Sequence, residues 1–450
     1  MVHVLTARSV ALLVATSSIA VAQWVQRAPA TSPSGRAAAA MDFVGVNGGL
    51  VLFSGNTVFA TNETWLYNGT YWTQLFPTTS PSGRYGAQLV YDSTRNVAVL
   101  YGGMGTSIST PPPTSVTWEW NGATWTQATP AANAGPRYRY AACFDSARSR
   151  VVMYGGYSSQ FFGTPNSQTF EYDGATWTQI ATTGNPGPRA GPAMCFHAGL
   201  GRAVMFGGYD GFASTDQTWL CNGASSTWVQ LVIPGPKPSP RNASALVYDS
   251  LHDLCILMGG FQGANVLSDT WAFDGVRWIQ QATATQPASD HAMAFLATTG
   301  QVVRFGGYVS TPTQSNQTWE LGTGSYGVGC VGTNGVPSLA SAGAMTLGQP
   351  WTVNVANLNP TFSLAFFIIG FTRLPGIDLT FLLNMPGCEA YTTPDLLLGI
   401  SGAGGAATWT WPAVSGPIGA ALYTQALCFD PPVNGFGFTI SNAVYATIGN

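Results

Sequence analysis

The chain has 450 residues, enough for two or three domains, and only 8% of them are charged. Its formal net charge of −3 at pH 7 provides no basic field that would attract a phosphate backbone, so nucleic acid is excluded as an expected partner. The 12% aromatic content, together with 54 glycines and 29 prolines, favours a folded, turn-rich, all-β protein.

Residues 1–22 have the layout of a secretory signal peptide. Arg8 precedes an apolar run, and Ala20, Val21 and Ala22 form a small-residue cleavage site before Gln23. The apolar run is shorter than the roughly 20 residues that a membrane-spanning helix needs, and Ser and Thr interrupt it. The sequence therefore predicts cleavage after Ala22, a mature protein without a transmembrane segment, and a secreted, periplasmic or cell-surface location.

A short apolar segment ending in Gly-Gly, or once in Ser-Gly, recurs about every 50 residues. The last glycines of the six copies are Gly55, Gly103, Gly156, Gly208, Gly260 and Gly307. The first five are followed by Thr-Trp or Thr-Phe, an Asn-Gly or Asp-Gly turn and a tryptophan, as in TWEWNGATWTQ at 117–127. An arginine precedes each of these five, at Arg36, Arg84, Arg137, Arg189 and Arg241. Each repeat contains four short β-rich segments.

The double glycine, the aromatic residue and the later tryptophan resemble the Kelch repeat in type and order, over residues 23–325. This resemblance implies a β-propeller in which each repeat forms one four-stranded blade, and the four β-rich segments per repeat agree with it. The sixth copy has no tryptophan segment after TWELGTGS at 318–325, but QWVQRAPATSPSGR at 23–36 aligns with TWTQATPAANAGPR at 124–137. The N-terminal strand is therefore predicted to complete the last blade, which gives six blades in a closed ring.

Residues 326–450 have a different pattern, in which short apolar segments alternate with Gly/Pro turns. The pattern predicts a second all-β domain, with a β-sandwich as the simplest form. The G-C-x-G-x-x-G-x-P segment at 329–337 and the Pro-Gly-Cys at 386–388 are similar to a C-terminal domain of secreted proteins from planctomycetes and related bacteria. This resemblance implies no particular activity.

The seven cysteines leave at least one thiol unpaired. Cys330 and Cys388 lie beside turns of the C-terminal domain and form the expected disulfide, with Cys428 as an alternative partner for either. Cys143 and Cys195 share one register in adjacent blades and point the same way around the ring, so a bridge between them is not expected. Core packing is expected for both, and also for Cys221 and Cys255. No C-x-x-C pair supports a zinc site.

The Kelch resemblance raises the possibility of a copper oxidase. Galactose oxidase belongs to that group, and its copper site requires two histidines, a tyrosine crosslinked to cysteine and a second tyrosine. Of the three histidines in the mature chain, His197 and His252 fall in turns after first strands, whereas His291 begins a first strand at the opposite end of a blade. We therefore expect no shared metal and no cofactor.

Aromatic residues in the loops between second and third strands form the candidate ligand-binding set, with Arg137 and Arg189. The members are Tyr157, Tyr209, Phe261 and Tyr308, which directly follow double glycines, and Phe161, Phe162 and Phe212 farther along the loops. One interpretation is that the rings pack beneath their own loops. The other is that they stack on sugars beside Asn, Gln and Ser side chains. The repeated arginines also fit interblade ion pairs or hydrogen bonds to carbonyl oxygens.

Asp290 and His291 interrupt the repeat where an arginine is expected. As an acid and an imidazole they are candidates for acid/base catalysis, although drift in a degenerate repeat is the favoured explanation. We favour binding over catalysis: the sequence predicts an exported protein that recognises carbohydrate or an extracellular protein through its long loops. A polysaccharide hydrolase or lyase using Asp290 and His291, and a structural or adhesive envelope module, are the alternatives.

Overall fold

The computed structural model describes most of the chain from Trp24 to Thr447. The residues outside this description are 1–23, 58, 106–112, 160–162, 282–285, 322–324, 327–337, 342–349, 357–363, 371–372, 379–388, 393–395, 402–405, 412–420, 430–437 and 448–450. Across the described residues the secondary structure consists of β-strands and two short 3-10 helices, Gly45–Asn47 and Gly223–Ser225. None of the helices described is long and apolar enough to span a membrane.

Six antiparallel four-stranded sheets form blades 1 to 6. Their strands, in order within each blade, are Ala40–Val44, Gly49–Phe53, Thr64–Tyr67 and Trp72–Leu75 in blade 1; Gln88–Asp92, Val97–Tyr101, Thr117–Trp120 and Trp125–Ala128 in blade 2; Ala141–Asp145, Arg150–Tyr154, Thr169–Tyr172 and Trp177–Ile180 in blade 3; Ala193–His197, Arg202–Phe206, Thr218–Asn222 and Thr227–Gln230 in blade 4; Ala245–Asp249, Leu254–Met258, Thr270–Phe273 and Trp278–Gln280 in blade 5; and Ala292–Leu296, Gln301–Phe305, Thr318–Leu321 and Trp24–Arg27 in blade 6. The predicted all-β class and six-bladed propeller are confirmed.

The N-terminal strand closes the propeller. Trp24–Arg27 pairs antiparallel with Thr318–Leu321, with Trp24 opposite Leu321. The six first strands line the central axis, and each contacts its neighbour around the ring, including the first strands of blades 6 and 1. Closure leaves the third strand of blade 6 paired on both sides, as the alignment of residues 23–36 predicts.

A ring of buried hydrogen bonds explains why Thr and Trp recur in the repeat. In every blade the fourth-strand tryptophan donates its indole N–H to the threonine that begins the third strand of the preceding blade, at 2.8–3.0 Å. The six pairs are Trp72–Thr318, Trp125–Thr64, Trp177–Thr117, Trp228–Thr169, Trp278–Thr218 and Trp24–Thr270. A buried indole N–H needs such an acceptor, so both residue types are required at each blade interface.

The double glycine allows neighbouring blades to approach closely. The N–H of Gly156 donates to the Arg189 carbonyl oxygen of the next blade at 2.7 Å. A Cβ on Gly155 would lie only 2.4 Å from the same oxygen, and both glycines have positive φ. In blade 1, Ser54 replaces the first glycine and its hydroxyl donates to the Arg84 carbonyl oxygen. A hydroxyl can make this contact because it forms a hydrogen bond where a methyl group would clash.

The repeated acids at the opposite end of the blades organise tight turns. Asp173 accepts hydrogen bonds from the backbone N–H groups of Ala175 and Thr176, and Asp145 binds Arg148 three residues later at 2.7 Å. Asp249 contacts His252 in the same way. Aspartate favours such turns because its carboxylate accepts hydrogen bonds from backbone N–H groups two and three residues later, which explains why acids recur at these positions.

The described strands of the C-terminal region form a five-stranded, a three-stranded and a two-stranded sheet. In spatial order these contain Ser325–Tyr326, Phe438–Thr447, Ala421–Phe429, Leu364–Gly370 and Leu396–Ser401; then Ser338–Ser341, Trp351–Ala356 and Ala407–Trp411; and finally Arg373–Asp378 with Glu389–Thr392. The sandwich stays a prediction. Cys330 and Cys388 lie outside the described residues, so their predicted disulfide also stays a prediction, and Cys428 is buried.

Candidate binding face

Antiparallel strand order places the connections between second and third strands, and between blades, at one end of the propeller, the long-loop face. There, the residue after the last glycine of each copy pairs with a residue that lies shortly before the first strand of the same blade. The four aromatic cases are Tyr157 with Tyr138, Tyr209 with Ala190, Phe261 with Asn242 and Tyr308 with Ser289. The four rings therefore occupy equivalent positions in blades 3 to 6.

These aromatic residues differ in exposure. Tyr157 is only 6% exposed and its ring packs 5.5 Å from that of Tyr138, so it belongs to the packed interior beneath the loops. Tyr209, Phe261 and Tyr308 are partly exposed, and the Phe261 and Tyr308 rings lie 6.5 Å apart. Phe212 is 95% exposed. Phe161 and Phe162 lie outside the described residues.

The loop that carries Phe212 is held in one shape by its own polar groups. The Asp210 carboxylate accepts hydrogen bonds from the backbone N–H groups of Phe212 and Ala213, both at 2.8 Å. These two bonds hold the pKa of Asp210 below its ordinary value. The Tyr209 hydroxyl donates to the Gly211 carbonyl oxygen at 2.9 Å. The loop therefore presents the Phe212 ring to solvent from a defined turn.

Arg137 and Arg189 lie beneath the loops and bind groups of their own blades. The Arg137 guanidinium donates to Gln168 Oε1 and that of Arg189 to Gln217 Oε1, each at 2.5 Å. Both side chains also donate to backbone carbonyl oxygens, and burial lowers the pKa of both below the ordinary arginine value. Hydrogen bonds from the repeated arginines to carbonyl oxygens were one of the two interpretations of the sequence, and Arg137 and Arg189 make such bonds. The partners of both arginines belong to the same blade as the arginine.

Six residues, each two positions before the start of a first strand, form a closed hydrogen-bonded ring around the axis, the axial ring. Each backbone N–H donates to the carbonyl oxygen of the preceding member at 2.6–2.9 Å, and the N–H of the first member donates to the carbonyl of the last. All six have positive φ. The members are Ala38, Gly86, Arg139, Gly191, Ala243 and Asp290. They line a cavity that opens at the long-loop face.

Arg139 and Asp290 are the two charged members of the axial ring, and they bind each other. They belong to blades 3 and 6, which face each other across the axis, and Arg139 Nη2 lies 2.6 Å from Asp290 Oδ2. Attraction to this carboxylate outweighs burial and raises the pKa of Arg139 above its ordinary value. An ion pair therefore bridges the axial opening of the long-loop face.

The expected acid–imidazole pair of Asp290 and His291 is not formed, because the Asp290 carboxylate binds Arg139. His291 is buried, and neither of its ring nitrogens has a hydrogen-bond partner among the described residues. Burial, assisted by the Arg304 charge, holds the pKa of His291 well below its usual range. The axial ring also corrects the alignment: Asp290 is equivalent to Arg139, and Ala288 occupies the position of the repeated arginine.

Arg139, Tyr85 and Phe59 also contribute to this face, and the sequence analysis missed them. Phe59 is 58% exposed in the second-to-third-strand loop of blade 1. Burial raises the pKa of the Tyr85 and Tyr157 hydroxyls, and the Arg139 charge offsets part of that rise, so both phenols lie within electrostatic reach of Arg139. The available signal was that Arg139 interrupts a position held mostly by Ala and Gly.

A second cavity, of about 400 Å³, lies along the axis toward the opposite face. Its lining includes Asp42, whose carboxylate accepts hydrogen bonds from the N–H groups of Phe43 and Tyr91 at 2.8 Å. Burial raises the pKa of Asp42 to about 6. Within the part of the chain that the structure describes, no group of three or more His, Cys, Asp or Glu side chains could hold a metal ion.

Comparison with known proteins identifies the repeats. Residues 93–287 match the family described as the KLHDC2/KLHL20/DRC7 Kelch-repeats domain. A segment of 75 residues is 35% identical to dynein regulatory complex subunit 7 of Chlamydomonas reinhardtii, and it covers 16% of this chain and 6% of that protein. With the six-bladed architecture, these matches show that the chain contains a Kelch-repeat β-propeller, a fold that indicates a binding or protein-interaction role.

Proposed function

We propose that this protein is exported and binds an extracellular ligand, a carbohydrate or a protein, through the long-loop face. The observation that carries the proposal is the 95% exposure of Phe212 on a loop that internal hydrogen bonds hold in shape. A large apolar ring fixed in solvent gains free energy when a partner covers it, and aromatic residues are typical binding hot spots.

The surroundings of Phe212 support recognition of a mixed polar and apolar ligand. Tyr209 lies in the same loop and is partly exposed, so two rings are available for stacking. The Arg139–Asp290 ion pair adds charged groups at the centre of the face. Sugars present both CH faces and hydroxyls, which suits this combination, and a protein loop with an apolar residue flanked by polar ones would suit it equally.

Export is supported by the layout of residues 1–22, with Arg8, an apolar run and the Ala-Val-Ala site. The test is the N-terminal sequence of the protein recovered from its native source. A mature chain beginning at Gln23 is expected, and a chain that retains residues 1–22 in the cytoplasm would contradict export.

The enzymatic alternative has less support than binding. A hydrolase or lyase needs an acid and a base that can exchange protons with a substrate, but Asp290 is held by Arg139 and His291 is buried. The adhesive alternative differs from specific binding only in its ligand, so the binding experiment addresses it as well.

The experiment is binding of the mature protein to an array of bacterial and plant polysaccharides. Phe212→Ala and Tyr209→Ala should each weaken binding about fivefold or more, the equivalent of about 1 kcal/mol. Tyr71→Ala is the matched control, because Tyr71 is 50% exposed in a turn at the opposite face. If Tyr71→Ala weakens binding and Phe212→Ala and Tyr209→Ala do not, the ligand binds at the opposite face and the proposal is contradicted.

If no polysaccharide binds, the same variants test the protein partner. A photo-crosslinking amino acid at position 212 should capture an extracellular protein more efficiently than one at position 71. The captured protein, once purified, should bind the wild-type chain and lose affinity for Phe212→Ala. Absence of both polysaccharide binding and crosslinking specific to position 212 would contradict the proposal.

A further inference from the structure

Two thiols from neighbouring blades meet in the interior of the propeller. Cys195 lies in the first strand of blade 4 and Cys255 in the second strand of blade 5, and both side chains are buried. The Cys195 thiol donates to Cys255 Sγ, with the two sulfur atoms 3.0 Å apart. We propose that Cys195 and Cys255 form an oxidation site, at which a small-molecule disulfide such as oxidised glutathione converts the two thiols into a disulfide linking blades 4 and 5.

The geometry favours this pair over the other cysteines. A covalent S–S bond is about 2.05 Å long, so the two sulfur atoms of Cys195 and Cys255 need to approach by only about 1 Å. Cys143 and Cys221 are buried between blades 3 and 4, and among the described residues no sulfur lies within hydrogen-bonding distance of either. Cys143 and Cys195 both lie in first strands and share one register, so they point the same way around the ring. Cys195 and Cys255 lie in different strands of their blades, which allows their side chains to meet.

The reaction is two successive thiol–disulfide exchanges. The thiolate of one cysteine attacks the small disulfide, which forms a mixed disulfide and releases one small thiolate. The thiolate of the second cysteine then attacks the protein sulfur of the mixed disulfide, which forms the Cys195–Cys255 bond and releases the second small thiolate. The protein loses two protons and two electrons, and the small disulfide is reduced to two thiols.

Burial determines when this reaction occurs. Cys195 is 6% exposed and Cys255 is fully buried, and burial with the neighbouring Cys255 raises the pKa of the Cys195 thiol well above its ordinary value. Neither thiolate is therefore accessible to a small disulfide in the closed propeller. Exchange takes place during folding or when blades 4 and 5 separate locally, and the closed structure then protects the bond from reductants.

The test uses the mature protein, refolded from the reduced, unfolded state in a mixture of oxidised and reduced glutathione. Remaining thiols are alkylated and the protein is digested with trypsin without reduction. Peptide 190–202, which contains Cys195, should be joined to peptide 242–277, which contains Cys255. Recovery of both peptides alkylated and separate from the folded protein would overturn the proposal, as would joining of either to another cysteine peptide.

Two variants make the result specific. Cys143→Ala is the matched control, because it removes a buried thiol of blade 3 and should leave the 190–202 to 242–277 link intact. Cys255→Ala should abolish the link and leave Cys195 alkylated. A reductant present during the melt reaches the bond once heating separates blades 4 and 5, so it should lower the melting temperature of the oxidised wild type by about 5 °C more than that of Cys255→Ala. An equal shift in both proteins would contradict a bond at this position.

Discussion

The indole N–H of Trp24 donates to the hydroxyl of Thr270 at 2.8 Å, although the two residues are 246 positions apart. The same bond is present between all five remaining pairs of neighbouring blades, for example Trp125–Thr64 and Trp278–Thr218. The junction made by the N-terminal strand is therefore chemically equivalent to the other five, including the Trp72–Thr318 junction between blades 6 and 1. Closure of the propeller depends on a strand of four residues, Trp24–Arg27.

Thr270→Val tests this junction, because it leaves the buried Trp24 N–H without its acceptor. We expect the free energy of unfolding to fall by about 1–3 kcal/mol, measured by urea denaturation followed by tryptophan fluorescence. Thr64→Val, which removes the acceptor of Trp125, is the matched control and should cost about the same. If Thr64→Val lowers the free energy of unfolding and Thr270→Val leaves it unchanged, the N-terminal strand does not stabilise the ring.

Gly155→Ala tests the close approach of the blades. The new Cβ would lie 2.4 Å from the Arg189 carbonyl oxygen, at a residue with a φ of +73°. Gly135→Ala separates the two effects, since Gly135 has a φ of +72° but no atom within 4 Å of a Cβ. Gly135→Ala should lower the free energy of unfolding by about 1–2 kcal/mol from backbone strain alone. Gly155→Ala should lower it clearly more in the same unfolding measurement, because the clash with the carbonyl oxygen is added to the strain. Equal costs would mean that the contact with Arg189 is unimportant.

Asp42 should make the stability depend on pH. Its pKa in the folded protein is about 6, above the ordinary aspartate value of about 3.9 in the unfolded chain, so the folded state binds the proton more tightly. The contribution of Asp42 to stability should therefore rise as the pH falls from about 7 to about 4 and be lost as the pH rises through 6.

Melting temperatures of the wild type and Asp42→Asn between pH 4 and 7.5 check this prediction. The difference between the two proteins should shift in favour of the wild type as the pH falls. Asp210→Asn is the control: hydrogen bonds lower the pKa of Asp210 in the folded state, so its effect on stability changes only below about pH 4 and the difference from the wild type should stay constant over this range. A difference between the wild type and Asp42→Asn that is independent of pH would contradict the raised pKa.

A double-mutant cycle on Arg139→Gln and Asp290→Asn measures the ion pair across the axis. Asp290 is largely buried and the two charges are 2.6 Å apart, so we expect a coupling energy of about 0.5–3 kcal/mol. The exposed pair Lys237–Asp216, at 2.9 Å, provides the control cycle. Solvent screening should keep its coupling below about 1 kcal/mol. A coupling for Arg139–Asp290 no larger than that of the exposed pair would show that it does not stabilise the axial ring.

Contacts that repeat in every blade could be predicted from the sequence. The spacing of the double glycines gave the number of blades, and the alignment of residues 23–36 with 124–137 predicted the closing strand. Both inferences succeeded because a blade contacts only its neighbours, so the same residue types must recur at the same positions. The packing of Tyr157 against Tyr138 was one of two open interpretations, since the sequence does not indicate which loop rings are covered.

Only the tertiary structure decided the contacts that occur once. Arg139 and Asp290 are 151 residues apart and meet because three blades separate them in a ring of six, which brings their positive-φ backbones to opposite sides of one opening. Cys195 and Cys255 meet because different strands of blades 4 and 5 turn their side chains into one interface. A repeat pattern describes what each blade shares with the others, whereas these contacts depend on single side chains and on the closed geometry that positions them.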